Sequence, residues 1–181
     1  MNRLPKVLIV LLLASMALSA CGGGAGDPVA TVKSVVQAIQ DKKFDSVADF
    51  VCAEKKAEVT RQLDFRSSLG GLGFDVQQMV DAMNFDLSNF QYTKTSESGD
   101  KAVVSVKGDM KMTMDRDKFK VVIVDLLKAQ GLTDVSDDMV NTSLDMLATQ
   151  FESGVPISSD VDVVKEGGAW KVCGGLSLAA P

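Results

Sequence analysis

Three cysteines are the residues of this chain best suited to chemistry. Cys21 follows an uncharged apolar run, and Cys52 and Cys173 lie far apart, so their spacing matches neither a CxxC redox motif nor a zinc knuckle. The 181-residue chain has no histidine, which excludes the usual Ser-His-Asp and Cys-His catalysis and removes the commonest zinc ligand. We therefore expect no catalytic residue, no metal and no cofactor.

Two small groups stand out among the 24 acidic residues. Asp160 and Asp162 are two apart in a predicted strand and share one face, but two carboxylates fall far short of the roughly six oxygens that a calcium ion takes. Asp134, Asp137 and Asp138 stand at a predicted helix start, where capping and the helix dipole account for them. We interpret both groups as solvated surface.

The residues before Cys21 predict export and lipid attachment. Arg3 and Lys6 precede fourteen uncharged residues, 7–20, a run too short for a membrane-spanning helix, which needs about 20, and typical of a signal peptide. The sequence Leu18-Ser19-Ala20-Cys21 resembles the lipobox of bacterial lipoproteins. That resemblance implies a diacylglyceryl group on the Cys21 thiol, cleavage before Cys21 and acylation (palmitate) of the new amino terminus. The alternative, ordinary cleavage after Ala20, is disfavoured by the large Leu18.

The predicted organisation is a signal peptide (1–20), a lipidated tether (21–27) and one domain (28–181). The tether is glycine-rich, and its six residues after Cys21 reach about 13 Å. Cys21 would then anchor an extracytoplasmic domain close to a bacterial membrane. Gly22 stands where an aspartate retains many lipoproteins at the inner membrane, so we expect the outer membrane in a host with two membranes.

The charge of the chain argues against nucleic acid as a partner. The formal net charge is −5, and the loss of Arg3 and Lys6 would make it −7, whereas phosphate binding needs clustered cations. With Cys21 lipidated, Cys52 and Cys173 form an even pair in an oxidising compartment, which predicts a disulfide. Two unrelated buried thiols are the alternative. Cys173 and the apolar Trp170 lie on opposite faces of the predicted strand. If Trp170 faces the helices, Cys173 points away from them. The bond then needs a bulge near 174–175, or Cys52 must reach around the sheet edge.

The elements that position these residues are helices followed by strands. Asp27-Pro28 predicts a helix start, a short second helix ends near Cys52, a charged helix covers 53–63, and Asp75 caps a helix that extends to Met83. Apolar and polar residues alternate over 101–115, which predicts a long strand with a bulge or bend at Gly108 and an antiparallel partner over 85–96.

The rest of the sequence predicts a helical hairpin and two closing strands. Helical periodicity covers 116–152, although a strand remains an alternative at 121–124, and Ser136 is the cap of the second helix. Strands at 157–164 and 169–178 are joined by the turn 166–168. The fold class is α+β, with N-terminal helices packed on a curved antiparallel sheet.

Three segments resemble a known family: DPVATVKSVVQAIQDKKFDSVADFV, GDKAVVSVKGDM and VDVVKEGGAWKVC. They are similar to the first helices, a middle strand and the last hairpin of small bacterial lipoproteins with a nuclear-transport-factor-2-like (cystatin-like) domain. The resemblance implies a cone-shaped domain with a pocket between the helices and the sheet, and it implies no catalytic residue. The hairpin 116–152 is an insertion relative to shorter members.

Methionines mark the candidate pocket. Met110, Met112 and Met114 share the inner face of the long strand, and with Trp170 they are the predicted pocket lining. Six apolar residues of the hairpin should pack over that end of the sheet, either as a lid or as core that leaves no cavity: Phe119, Ile123, Leu126, Leu144, Leu147 and Phe151.

Three functions remain open at this point. The first is a non-catalytic module of the cell envelope that binds a hydrophobic ligand or another envelope protein. The second is a structural or accessory lipoprotein without a small ligand. The third is an enzyme that uses a pocket carboxylate or Tyr92, which the apolar inner face of the long strand argues against.

Overall fold

The first helix carries the apolar stripe that covers the sheet. The computed structural model describes residues 26–64, 67, 71, 75–132, 134–152 and 154–175; the predicted signal peptide, Cys21 and most of the tether lie outside these residues. Helix α1 (Pro28–Gln40) begins where the Asp27 side chain accepts a hydrogen bond from the Val29 amide at 3.0 Å, as predicted. Its buried face includes Val32, Val35 and Val36.

Three short helices follow, and one of them ends earlier than expected. Helix α2 is Phe44–Val47, α3 is Ala53–Leu63 and α4 is Val76–Ala82. The prediction that the second helix continues to Cys52 is wrong, because the chain at 50–52 runs extended beside the last strand. The Val172 amide donates to the Phe50 carbonyl at 2.8 Å, and the Cys52 amide donates to the Val172 carbonyl at 2.9 Å.

Helix α4 is also shorter than predicted. Asp75 caps it by accepting from the amides of Gln77 and Gln78, but Met83 already belongs to a strand. The reason is tertiary: the Ala82 carbonyl accepts a hydrogen bond at 2.7 Å from the amide of Asp115, at the far end of the longest strand.

The sheet is antiparallel throughout and is built around one long central strand. Its strands are β1 (Met83–Asp86), β2 (Gln91–Ser98), β3 (Lys101–Met114), β4 (Val155–Glu166) and β5 (Ala169–Gly174). Both β1 and β2 pair with β3 along one edge, β4 pairs with its other edge, and β5 follows β4. The alternation predicted for β3 is confirmed, since Ala102, Val104, Val106 and Met110 are buried.

The predicted partner strand 85–96 is in fact two strands separated by the residues 87–90. Phe90 packs against Gly108 there, so closely that a Cβ atom on Gly108 would lie 2.5 Å from the Phe90 ring. Gly108 therefore admits a close side chain from the segment between β1 and β2. The register shift between β2 and β3 falls between Lys94 and Ser96 on β2, so the predicted bulge does not lie at Gly108.

The helical hairpin connects the far end of β3 to β4. It consists of α5 (Arg116–Ala129) and α6 (Asp137–Glu152), so the strand alternative at 121–124 is wrong. Ser136 accepts from the Met139 amide at 3.3 Å, as its predicted capping role requires. None of the helices in the described ranges is long and apolar enough to cross a membrane.

The two ends of the sheet have different surroundings. At the end where α1 begins, the Thr31 hydroxyl contacts the Trp170 carbonyl at 3.4 Å. At the end where α1 stops, the Lys42 ammonium donates to the Asp81 carbonyl at 3.1 Å, beside α4 and the hairpin. The fold is thus α+β, with helices on a curved antiparallel sheet, and the α5–α6 hairpin lies at the end opposite to the start of the domain.

Candidate functional site

An open groove lies between α1 and the segment that follows it. Its volume is about 420 Å³. Its residues come from α1, from the residues on either side of and within α2, and from the segment that pairs with β5 before α3 begins: Lys33, Ser34, Gln37, Ala38, Asp41, Lys43, Ser46, Asp49 and Phe50. The β5 pairing at residues 50–52 holds one wall in place, and α1 forms the other.

The carboxylates of the groove already have partners. Asp41 accepts a hydrogen bond from the Gln37 amide at 2.8 Å and another from the Lys43 ammonium at 3.2 Å. Both contacts lower the pKa of Asp41, and the hydrogen bond from Gln37 has the larger effect. The Asp49 carboxylate lies 3.9 Å from the Lys56 ammonium. The backbone carbonyl of Asp49 accepts a hydrogen bond from the Lys171 ammonium at 2.5 Å.

One lysine that lines the groove contacts an aromatic ring. The Lys33 ammonium lies 5.5 Å from the centre of the Tyr92 ring, within the range of a cation–π contact. Partial burial raises the pKa of the Tyr92 hydroxyl. Phe50, which packs against the main core, supplies an apolar portion of the lining.

The carboxylates of the groove lie close to cationic side chains. Asp41 lies 3.2 Å from the Lys43 ammonium, and Asp49 lies 3.9 Å from the Lys56 ammonium. A general base acts in its ionised form and is most effective when its pKa lies near the working pH. The contacts with Gln37 and Lys43 lower the pKa of Asp41, so they make its carboxylate a weaker base.

The four residues predicted to line a pocket divide between two clusters of packed side chains. Met110 and Trp170 are buried in the main core, with 8% and 2% of their surfaces exposed. Met112 packs against the same core, whereas Met114 contacts a second cluster. Met110 and Trp170 thus lie among the packed apolar side chains of the main core.

The second cluster explains what the hairpin does. Phe119, Ile123 and Leu144 are buried together with Ala82 and Val140. Leu147 and Met114 pack around them, while Leu126 is half-buried; the side chain of Phe151 lies outside the described residues. The hairpin thus covers the Met114 end of the sheet, as predicted, but it does so with α4 as a small core of its own. Of the two alternatives, the geometry favours a core element over a lid.

Cys52 and Cys173 are joined in a disulfide, with their Cα atoms 5.3 Å apart. The pairing predicted from the sequence is present, and both features considered for it are found. The register of β4 and β5 shifts at Asp162/Val163, which leaves Cys173 as the extra residue between Val172 and Gly174, and Cys52 lies along the sheet edge. The chain at 50–52 lies parallel to β5, with Val51 opposite Val172, which places Cys52 next to Cys173. Cys52 is fully buried and Cys173 is half-buried.

The structure places a carboxylate, that of Glu166, next to this disulfide, which the sequence did not predict. Glu166 Oε2 accepts a hydrogen bond at 3.0 Å from the amide of Ala53, the first residue of α3. The carboxylate oxygen and the two sulfur atoms lie within 4.8 Å of one another. The sequence predicts Glu166 only as part of the turn 166–168. Nothing in its local sequence indicates a hydrogen-bond partner 113 residues away.

The acidic groups named from the sequence occupy surfaces. Asp160 and Asp162 are exposed on the outer face of β4, and Asp134 and Asp138 are exposed beside the start of α6. Asp137 accepts from the Lys120 ammonium at 2.7 Å, a contact that lowers its pKa. Solvated surface is thus the observed setting of these five carboxylates.

Comparison with known proteins adds little to this description. No protein-family model and no curated protein matches the chain. Among solved structures, a SEC-C-motif-containing protein from Rhodopseudomonas palustris is 12% identical, with a TM-score of 0.47 over 86% of this chain and 82% of that one. The intermembrane space region of the chloroplast protein ARC6 is 13% identical, with a TM-score of 0.44 over 84% of this chain and 97% of that one.

Proposed function

We propose that the chain is an extracytoplasmic lipoprotein, anchored through acyl chains on Cys21, whose domain binds another protein of the cell envelope without catalysis. The lipobox at residues 18–21 supports the anchor. The Cys52–Cys173 disulfide supports an oxidising compartment, since such bonds are rare in the cytosol. Within this proposal the domain is a nuclear-transport-factor-2-like, cystatin-like variant, in line with the three similar segments.

The groove beside α1 is the observation that carries the binding proposal. It is open, it has paired charges and one aromatic side chain, and Lys33 lies six residues after Asp27. At 1.5 Å per residue, the groove begins about 9 Å from the end of the tether. A partner in the same membrane could reach it. The packed positions of Met110 and Trp170 support a protein partner more than an enclosed hydrophobic ligand.

Two experiments test the proposal separately. For the anchor, replacing Cys21 with Ser should release the protein from membranes or leave it unprocessed. Unchanged membrane partitioning and maturation of that variant would contradict lipidation at Cys21.

For the groove, a photo-crosslinking residue is placed at Ser34, with Ser158 on the exposed outer face of β4 as the matched control. In native membranes, position 34 should give a discrete adduct that position 158 does not. Charge reversal at Lys33 and Lys43 should abolish this adduct while leaving the melting temperature unchanged. Equal adducts at both positions, or insensitivity to charge reversal, would exclude the groove as the binding surface.

A further inference from the structure

The cluster of Cys52, Cys173 and Glu166 has the ligand types of a thiophilic metal site. Two cysteine sulfurs and a carboxylate oxygen lie within 4.8 Å of one another. Thiolate and carboxylate ligands together suit Zn²⁺, which binds sulfur at about 2.3 Å and carboxylate oxygen at about 2.0–2.2 Å. We propose that the dithiol form of this protein binds Zn²⁺ through Cys52, Cys173 and Glu166, so that the disulfide and the metal are alternative occupants of one place.

The backbone positions the three ligands independently of the sulfur–sulfur bond. The amide of Cys52 donates to the Val172 carbonyl, which fixes Cys52 beside β5. Cys173 belongs to β5 itself, and Glu166 ends the adjoining strand β4. With Cα atoms 5.3 Å apart, the two side chains can hold their sulfurs about 3.8 Å apart, the edge of a tetrahedron with 2.3 Å bonds.

The charges of the dithiol form favour a cation. Two thiolates and the Glu166 carboxylate would place three negative charges next to one another. The amino terminus of α3, an eleven-residue helix that begins at Ala53, offsets them by only about half a charge. A divalent cation compensates the remainder, and the fourth coordination position stays available to water, as in zinc sites with three protein ligands.

The interconversion requires a reductant, and a dithiol supplies it. One dithiol reduces the Cys52–Cys173 bond by two electrons and becomes a disulfide, leaving two thiols on the protein. Zn²⁺ then binds as both thiols lose their protons, so binding strengthens as pH rises. In the reverse direction a disulfide oxidant takes up two electrons and becomes a dithiol, while Cys52 and Cys173 form their bond again, and the metal is released because both thiolate ligands are lost.

The test uses Co²⁺ as a spectroscopic probe for the zinc site. The full chain carries Cys21→Ser, so that Cys52 and Cys173 are its only thiols. It is reduced with a dithiol, freed of reductant without air, and titrated with Co²⁺ and then Zn²⁺. We expect one Co²⁺ per chain, with thiolate-to-cobalt charge transfer and the intense visible bands of tetrahedral Co²⁺, and loss of these bands when Zn²⁺ is added. The oxidised chain should show none of them.

Matched variants test whether Glu166 contributes to metal binding or whether the two thiols alone hold the metal. Glu166→Gln can still accept the Ala53 amide but loses the anionic ligand, and it should weaken Co²⁺ binding by about tenfold or more, since even outer partners of metal ligands are worth 10–100-fold. Cys173→Ser should abolish the charge-transfer bands, and Asp162→Asn, an exposed carboxylate on the same strand, should leave binding unchanged.

Three results would overturn the proposal. The first is the absence of tetrahedral bands in the reduced chain. The second is equal affinity of the Glu166→Gln variant, which would show that the cysteines alone hold the metal. The third is a reduced chain that loses its circular-dichroism signal and does not recover it with Zn²⁺. Recovery of the fold on addition of Zn²⁺ supports the site, because the metal then binds the folded form.

Discussion

Replacing both Cys52 and Cys173 with Ala should reduce the free energy of unfolding by several kcal/mol. The bond closes a loop with a sequence separation of 121 residues, for which the chain-entropy model gives about 5 kcal/mol, while measured losses of native disulfides are typically 2–5 kcal/mol. The folded domain should keep its geometry, because the backbone hydrogen bonds between the segment 50–52 and Val172 do not depend on the sulfurs. Ala at the fully buried Cys52 position also leaves no unpaired polar atom.

The assay is equilibrium urea unfolding of the oxidised parent and of the double variant. The unfolding free energy should fall by roughly 2–5 kcal/mol, and the m value should rise, because an unfolded chain without the cross-link exposes more surface. The reduced parent is the control, and without Zn²⁺ it should resemble the variant. A loss below about 1 kcal/mol with an unchanged m value would refute the loop-closure reasoning.

Local signals in the sequence predicted the elements whose causes are themselves local. Asp27-Pro28 begins α1 and Ser136 caps α6, because a cap needs only the next three residues. The alternation of β3 identified the buried residues of the longest strand, since every second side chain faces the helices. Elements of this kind can be read without knowledge of their partners.

The errors arose where a distant segment decides the structure. The chain leaves α2 early because residues 50–52 pair with Val172, more than 100 residues later. The strand opposite β3 breaks at 87–90, where Phe90 packs on Gly108. The sequence contains both Gly108 and Phe90, but nothing in it indicates that the two residues lie in contact.

The candidate site was the least predictable part. The alternation correctly assigned Met110 and Trp170 to the inner face, but an inner-face residue can line a cavity or fill a core, and only the fit of the helices decides between the two. The groove that the structure shows is lined mainly by polar residues of α1 and of the segment 41–50, together with Ala38 and Phe50, and this mixture resembles any partly solvated helix surface.

Three further predictions test the packing and the electrostatics of the hairpin and the sheet. Leu144→Ala should cost about 2–5 kcal/mol of unfolding free energy because Leu144 is 2% exposed in the second cluster, whereas Met146→Ala, at a side chain 65% exposed, should stay within about 0.5 kcal/mol; equal effects in urea unfolding would mean that the hairpin has no core of its own. Gly108→Ala should destabilise by about 1–3 kcal/mol, because its Cβ would lie 2.5 Å from an aromatic carbon of Phe90, and a neutral or stabilising result would show that this ring moves away freely. The Lys120 ammonium lowers the pKa of Asp137 from its model-compound value of 3.8, so this pair stabilises the fold above about pH 4, and its contribution is lost as the pH falls through the lower pKa of the folded state. Lys120→Met should therefore lose less stability than the parent between about pH 4 and pH 2, and 1 M salt should reduce the difference; parallel acid-unfolding curves for the two proteins would show that the contact between Asp137 and Lys120 does not persist in solution.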